Sequence, residues 1–254
     1  MKKITQKIIY LISRVEIIYK ISKKITDYYN NNNNCDIETN GEGYFIEKYK
    51  ENFDVVFDVG ANIGEWSQYI YDTNSNSKIY SFEPSKQTFT RLKENIKNPN
   101  NKIYNLGLGK EKENKIFYNY GEDSTLSSQI ERKDLMKKTY KENVEFETLD
   151  NFCKDNSIDK ISFLKIDVEG GELDVLKGSK EKISSGKVDY IQFEYGGTFI
   201  DAGILLKDIF NFFEDKPYTI YKMMQKKLEK ISSYNHDLEN FQYSNYVAIK
   251  NDTN

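Results

Sequence analysis

A short loop with one acidic residue and two glycines is the first part of the sequence that could do chemistry. The loop reads Asp58-Val-Gly-Ala-Asn-Ile-Gly64 and follows an apolar run, so a buried strand leads directly into Gly60, Ala61 and Asn62. Gly60 allows a tight turn and a close approach of ligand to backbone, and Gly64 allows the next helix to begin near the sheet. We expect the loop to bind one compact anion at the helix N-terminus, with Asp58 beside a positive charge of the same ligand.

A carboxylate at the end of the second predicted strand is the next candidate. Glu83 lies 19 residues after Gly64 and is followed by Pro84. A carboxylate in that position can accept hydrogen bonds from both hydroxyls of a ribose. The loop lacks the third glycine of the Gly-x-Gly-x-x-Gly pattern that a pyrophosphate favours. A ribose, a carboxylate and a positive charge together favour S-adenosylmethionine, with a nicotinamide-dependent oxidoreductase as the alternative enzyme class.

The acidic residues of two later strands are the candidates for catalysis. Asp167 ends the apolar run Ile161-Ser-Phe-Leu-Lys-Ile, and Glu194 ends the run that begins at Val188. Glu169 follows Asp167 closely, and either a base or a helix cap is compatible with its position. Transfer of a methyl group to a hydroxyl needs a base, for which Asp167 and Glu194 are favoured. The three carboxylates could instead hold a divalent cation, but no metal-binding motif is strong enough to predict one.

The elements that must position these residues alternate between strand and helix. Buried strands are predicted at 54–59, 78–83, 102–105, 161–167 and 188–194, and the helices between them include 65–71, 85–97 and 171–184. This alternation is typical of a doubly wound, mainly parallel sheet. Ligands of such sheets bind at the carboxyl ends of the strands, where the strand order reverses.

The remaining segments extend this pattern at both sides of the predicted sheet. Residues 108–147 are predicted to form an inserted hairpin, and Asp150 is expected to cap a helix that ends near Asn156. The segment from Ala202 to Phe213 is predicted to be one helix. The runs 218–221 and 246–250 are predicted to be terminal strands that pair antiparallel.

The motifs strongly resemble those of the FkbM-family methyltransferases. The resemblance rests on Phe57-Asp-Val-Gly-Ala-Asn-Ile-Gly64, Phe82-Glu-Pro84, Thr148-Leu-Asp150 and Phe163-Leu-Lys-Ile-Asp-Val-Glu-Gly170, within residues 50–195. It implies an α/β, Rossmann-like class I methyltransferase fold. In such a fold the doubly wound, mostly parallel sheet has seven strands, with an antiparallel terminal strand and an inserted hairpin.

The resemblance also implies roles for individual residues. Gly60 and its neighbours would hold the methionine end of S-adenosylmethionine, and Glu83 would hold the ribose. Asn105 and Leu106 would lie near the adenine, and Asp167 would line the methyl-transfer end. The acceptor is expected to be a hydroxyl of a sugar or of a surface-glycan precursor, although a catalytically inactive cofactor-binding module is a further alternative.

Composition excludes some classes of protein and leaves others open. The chain has 254 residues with 37 basic and 40 acidic side chains, so it lacks the basic excess of a nucleic-acid-binding protein. Its two cysteines, Cys35 and Cys153, form no metal-binding motif, which favours a reduced, cytoplasmic protein.

The N-terminal part of the chain differs in character from the rest. Residues 1–40 are predicted to form a basic amphipathic helix and an Asn-rich linker at 30–34, and residues 41–254 to form the methyltransferase domain. The apolar run of the helix is too short to span a bilayer and is followed by no cleavage site. The helix is expected to pack on the domain or on a partner subunit. Docking on the inner membrane surface is the alternative.

Overall fold

The computed structural model describes residues 2–120, 127–131 and 139–253. Its strands are β1 Val55–Val59, β2 Lys78–Phe82, β3 Asn101–Tyr104, β4 Gly107–Leu108, β5 Glu113–Tyr120, β6 Thr139–Glu147, β7 Ile161–Ile166, β8 Val188–Tyr195, β9 Tyr218–Met224, β10 Lys227–Ile231 and β11 Ser244–Lys250. Its α-helices are α1 Lys2–Ser13, α2 Glu16–Asn30, α3 Glu42–Tyr49, α4 Glu65–Thr73, α5 Lys86–Asn95, α6 Leu149–Asp155, α7 Glu172–Gly178, α8 Lys180–Ser184, α9 Thr198–Ala202 and α10 Leu206–Phe213.

Eight strands form the main sheet, in the order β10-β9-β11-β8-β7-β1-β2-β3. The five from β8 to β3 run parallel, and β11 is antiparallel to both β8 and β9. The predicted Rossmann-like fold is confirmed, including the antiparallel terminal strand, and the strand order reverses between β7 and β1. The eighth strand, β10, was not predicted because its sequence, Lys-Leu-Glu-Lys-Ile, is charged and half exposed at the sheet edge.

The core lies on both faces of the central strands. Because side chains alternate across a strand, each row of paired residues faces one layer of helices. The register aligns two such rows, one formed by Val56, Phe163 and Tyr190 and the other by Phe57, Leu164 and Ile191. All six side chains are fully buried, and the two rows belong to two separate hydrophobic clusters. Glu83 and Asp167 directly follow two of the parallel strands, and Glu194 is the penultimate residue of a third, β8.

A smaller sheet and two broken helices depart from the prediction in detail. The inserted hairpin is confirmed as β5 and β6, which β4 joins in the order β4-β6-β5. The predicted helix 171–184 is two helices, because the Asp150 carboxylate accepts hydrogen bonds from the backbone N–H groups of Glu181 and Lys182 and caps α8. Thr148, rather than Asp150, caps α6. The predicted helix 202–213 is also interrupted, at Gly203, whose φ is 67°.

The N-terminal helix is also two helices, α1 and α2, which meet at Arg14 and Val15. No residue of α2 is buried. The asparagine run after it, predicted as a linker, is packed on the domain. Asn31 donates hydrogen bonds to the carbonyl oxygens of Asn40 and Met223, at 2.6 and 3.0 Å, and is 5% exposed. Among the described helices, none is long and apolar enough to cross a bilayer.

Candidate functional site

A cavity of about 1060 Å³ opens at the carboxyl ends of β1, β2, β7 and β8. This is the edge of the sheet at which the fold class predicts a ligand. Nine of the predicted site residues line the cavity: Gly60, Ala61, Asn62, Glu83, Pro84, Leu106, Asp167, Glu169 and Glu194. The structure thus brings the predicted cofactor loop and the predicted catalytic carboxylates to one site.

The backbone conformation and close surroundings of Gly60 require a glycine. Its φ is 84°, and a Cβ atom there would lie 1.8 Å from the carbonyl oxygen of Asp167. The backbone N–H groups of Gly60 and Ala61 both donate to the carbonyl oxygen of Phe82, at 3.0 and 2.9 Å. The loop after β1 is therefore clamped between the ends of β2 and β7.

Three predicted cofactor residues do not line the cavity. Gly64 caps α4 with a φ of 91°, and a Cβ atom there would lie 2.8 Å from the side chains of Leu92 and Ile96 on or beside α5. Asn105 donates hydrogen bonds to the carbonyl oxygens of Glu83 and Pro84, at 2.9 and 2.8 Å, and so holds that turn.

Asp58, the third, lies beneath the cavity and is fully buried. The Ser67 hydroxyl donates to it at 2.7 Å, and the Lys165 ammonium lies 3.5 Å from its other oxygen. Burial raises the pKa of Asp58, although Lys165 and Ser67 oppose the shift. Asp58 therefore contacts Lys165 and Ser67 rather than lining the cavity, so it does not lie directly beside a bound ligand as the sequence predicted.

Glu83 is the acceptor at the end of β2. Its two carboxylate oxygens accept hydrogen bonds from the backbone N–H groups of Asn62, at 3.0 Å, and Ser85, at 2.9 Å. Each oxygen keeps a second lone pair for a donor in the cavity. Burial raises the pKa of Glu83 to about 8, against these two hydrogen bonds, which lower it. A diol that donates to Glu83 would favour its ionised form.

The predicted catalytic carboxylates form a tight cluster. Asp167, Glu169 and Glu194 each offer an oxygen, and these oxygens lie within 4.8 Å of one another. Burial, followed by the nearby Asp167 and Glu169, raises the pKa of Glu194 well above its ordinary value. Carboxylates at this spacing either share a proton or hold a divalent cation between them. Glu172, in contrast, is a cap, because it accepts the backbone N–H groups of Val168 and Gly170.

Lys165 supplies the opposing charge. Its ammonium lies 3.1 Å from Asp167 and 3.5 Å from Asp58, and over the Trp66 ring at 5.5 Å from the centroid. Burial alone would lower the pKa of Lys165. The nearby carboxylates of Asp167 and Asp58 raise this pKa by more than burial lowers it, so the side chain stays charged. The sequence assigned Lys165 no role beyond its place in a motif, because its contact with Asp58 depends on the pairing of two strands that are distant along the chain.

Other lining residues were missed because their segments are far apart in sequence. Glu42 of α3 is 6% exposed and accepts hydrogen bonds from the side chains of Gln192 and Asn40, both at 2.5 Å. Residues 35–37 and Tyr243 complete the wall.

The cavity has a strongly acidic lining. Among the described residues that line it, Lys165 is the single cation, and the carboxylates are Asp36, Glu42, Glu65, Glu83, Asp167, Glu169 and Glu194. Such a lining favours a ligand with positive charge and disfavours a diphosphate.

The chain is similar in sequence to known methyltransferases. The family model described as the methyltransferase FkbM domain matches residues 58–220. Hexuronic acid methyltransferase AglP of Haloferax volcanii is 31% identical over 166 residues, which cover 65% of this chain and 62% of that protein. Methyltransferase 1 of Beauveria bassiana is 31% identical over 144 residues, which cover 48% of this chain and 57% of that protein. The chain thus spans less than two thirds of either relative.

Solved structures of methyltransferases are similar to the chain at low identity. Methyltransferase FkbM from Methylobacillus flagellatus KT has a TM-score of 0.49 at 14% identity, covering 93% of this chain and 60% of that chain. A SAM-dependent O-methyltransferase from Thermotoga maritima has a TM-score of 0.43 at 11% identity, covering 83% of this chain and 64% of that chain. The assignment itself comes from the family model, which also removes the nicotinamide alternative. Since that model matches more than half of the chain, the chain belongs to the FkbM methyltransferases, and its cofactor is S-adenosylmethionine.

Proposed function

We propose that this methyltransferase acts on a hydroxyl oxygen of a saccharide, with Glu194 as the base. The carboxylate cluster of Asp167, Glu169 and Glu194, beside the cofactor loop, is the observation that carries the proposal. An aliphatic hydroxyl is a weak nucleophile until its proton is removed, so oxygen transfer needs such a group.

The β1 and β2 side of the cavity would hold the cofactor. Glu83 would accept hydrogen bonds from the ribose hydroxyls, and the loop of Gly60, Ala61 and Asn62 would contact the methionine end. Bound S-adenosylmethionine supplies an electrophilic methyl group whose leaving sulfur becomes neutral. The acidic lining attracts its ammonium and sulfonium charges.

The β7 and β8 side would receive the acceptor. The acceptor hydroxyl would lie beside Glu194, whose carboxylate would take up the hydroxyl proton as the oxygen becomes methylated. A raised pKa makes the ionised Glu194 a stronger base than an ordinary glutamate. Lys165 holds Asp167 in place through the 3.1 Å ion pair, so Asp167 can orient the acceptor.

The charge of the cavity lining indicates which charge the acceptor saccharide carries. AglP is named for a hexuronic acid, and that name supports a sugar acceptor here. Those lining carboxylates that are ionised would, however, repel a uronate, because like charges in a poorly solvated cavity interact strongly. We therefore propose a neutral sugar ring as the acceptor, with any phosphate of a carrier outside the cavity.

Transfer of a labelled methyl group to methyl glycosides of neutral hexoses and of hexuronic acids tests the proposal. We expect ether formation on the neutral glycosides, at more than about tenfold the rate on the uronates. Binding of S-adenosylhomocysteine without transfer to any hydroxyl would instead indicate an inactive module. A product methylated at a carboxylate would overturn both the base and the acceptor class.

A further inference from the structure

The two N-terminal helices expose an apolar face that nothing in the described chain covers. In α2 the residues at helical spacing on this face are Ile17, Ile21 and Ile25, which are 62%, 51% and 64% exposed. In α1, Ile4 and Leu11 occupy the same kind of face and are 68% and 67% exposed. Isolated exposed side chains are normal, but two consecutive amphipathic helices with such a face indicate a binding surface.

The charge of this segment identifies the kind of surface that fits it. Residues 1–30 contain only two acidic side chains, Glu16 and Asp27, although the whole chain has more acidic than basic residues. The seven basic ones are Lys2, Lys3, Lys7, Arg14, Lys20, Lys23 and Lys24. A second copy of these helices would carry the same charge and be repelled. An anionic lipid surface attracts it and accepts the apolar face among its acyl chains.

Exposed aromatic residues strengthen this assignment. Tyr19, Tyr28 and Tyr29 of α2 are all exposed, and tyrosine side chains favour the boundary between lipid and water. Neither helix can span a bilayer. We propose that α1 and α2 lie flat in the headgroup region of an anionic lipid surface.

The helices are tied closely to the cavity. Asn32 accepts a hydrogen bond from the buried Lys222 ammonium at 2.7 Å, and the Asn33 N–H donates to the carbonyl oxygen of Tyr243 at 2.8 Å. The cavity residue Cys35 lies five residues after the end of α2, at most roughly 18 Å of extended chain. Docking therefore brings the cavity near the lipid surface. On the proposed function, the acceptor would be a saccharide anchored in that surface.

Co-sedimentation of the full chain with lipid vesicles tests the docking. We expect binding to vesicles of equal parts phosphatidylcholine and phosphatidylglycerol, and none to pure phosphatidylcholine. The triple variant Lys20→Glu, Lys23→Glu and Lys24→Glu should bind more than about tenfold more weakly. The triple variant Ile17→Ser, Ile21→Ser and Ile25→Ser should lose binding in the same way. The control for the lysine variant is the triple variant Lys93→Glu, Lys97→Glu and Lys154→Glu. The control for the isoleucine variant is the double variant Ile116→Ser and Ile200→Ser. Both controls should bind the vesicles as the unaltered chain does.

Calorimetry with S-adenosylhomocysteine separates this proposal from the proposed function, since all these variants should bind it equally. Equal binding to neutral vesicles, or no binding to anionic ones, would overturn the docking whatever the enzyme's activity. A dimer in sedimentation equilibrium that the isoleucine variant dissociates, without vesicle binding, would make the helices an interface between copies.

Discussion

The cavity has two halves, one at the ends of β1 and β2 and one at the ends of β7 and β8. The carboxylates of the two halves have different surroundings. At the end of β2, Glu83 is held by two backbone N–H groups from its own side of the sheet. At the ends of β7 and β8, Glu194 faces Asp167 and Glu169, which repel its ionised form. A carboxylate supported by fixed donors is suited to binding, whereas one crowded by like charges is suited to taking up a proton. Substitutions that alter one half at a time test this distinction.

The largest effect is expected from Glu194→Gln. Removal of a general base should lower kcat by about 10²–10⁴-fold, while the dissociation constant of S-adenosylhomocysteine stays within about twofold. The surface change Glu214→Gln is the control, because that residue is exposed at the end of α10. Equal losses of cofactor binding and of transfer in Glu194→Gln would remove the distinction between the halves.

Gly60→Ala should break the junction of the two halves. The new Cβ would clash with the Asp167 carbonyl oxygen, so we expect the free energy of unfolding to fall by more than about 2 kcal/mol in urea titrations. Gly203→Ala isolates the backbone strain, since Gly203 also has a positive φ but a Cβ atom there would meet nothing within 4 Å. It should cost about 1 kcal/mol. Similar losses at both positions would show that the close approach of β1 and β7 is unimportant.

Glu83→Gln should weaken the cofactor half alone. The amide can no longer accept from Asn62, Ser85 and both ribose hydroxyls, and a hydrogen bond to a charged group contributes about 1.5–3 kcal/mol. We expect S-adenosylhomocysteine to bind about tenfold to a hundredfold more weakly in calorimetry. At saturating cofactor, kcat should change little; a kcat loss as large as that of Glu194→Gln would assign Glu83 to the chemistry.

The pH dependence of binding should also belong to Glu83. Its pKa is raised from 4.5 to about 8 by burial, so the folded apo protein binds this proton more tightly than the unfolded chain. The stability that this group contributes is fully present below about pH 4.5 and is lost as the pH rises to about 8. Ribose hydroxyls favour the ionised form, so S-adenosylhomocysteine affinity should rise from pH 6 to 9 with release of a proton. Glu83→Gln should abolish that rise, and an unchanged rise would point to another group.

The smallest effect is expected from chelation. Because Lys165 pairs with Asp167 and the proposed base needs no cation, dialysis against EDTA should leave methyl transfer within about twofold. A large loss that Mg²⁺ restores would assign the carboxylate cluster to a cation instead.

The sequence predicted the main sheet because its parallel strands are buried on both faces and read as continuous apolar runs. It also predicted that Asp167 and Glu194 lie in the cavity, since a charged residue at the end of such a run lies at the edge of the sheet. It could not predict that Asn31 and Asn33 join the N-terminal segment to Met223 and Tyr243, because such contacts depend on residues about 200 positions away. Nor could it predict the break before α8, which depends on Asp150 of another helix.

The central claim is that Glu83 binds the cofactor and Glu194 takes up the proton. Comparing Glu194→Gln and Glu83→Gln in one pair of assays tests it. Calorimetry would give the affinity for S-adenosylhomocysteine, and transfer of a labelled methyl group to neutral methyl glycosides would give kcat at saturating cofactor. We expect Glu194→Gln to bind normally and to lose transfer, and Glu83→Gln to bind weakly and to retain it. Full transfer by Glu194→Gln would contradict the assignment of the base.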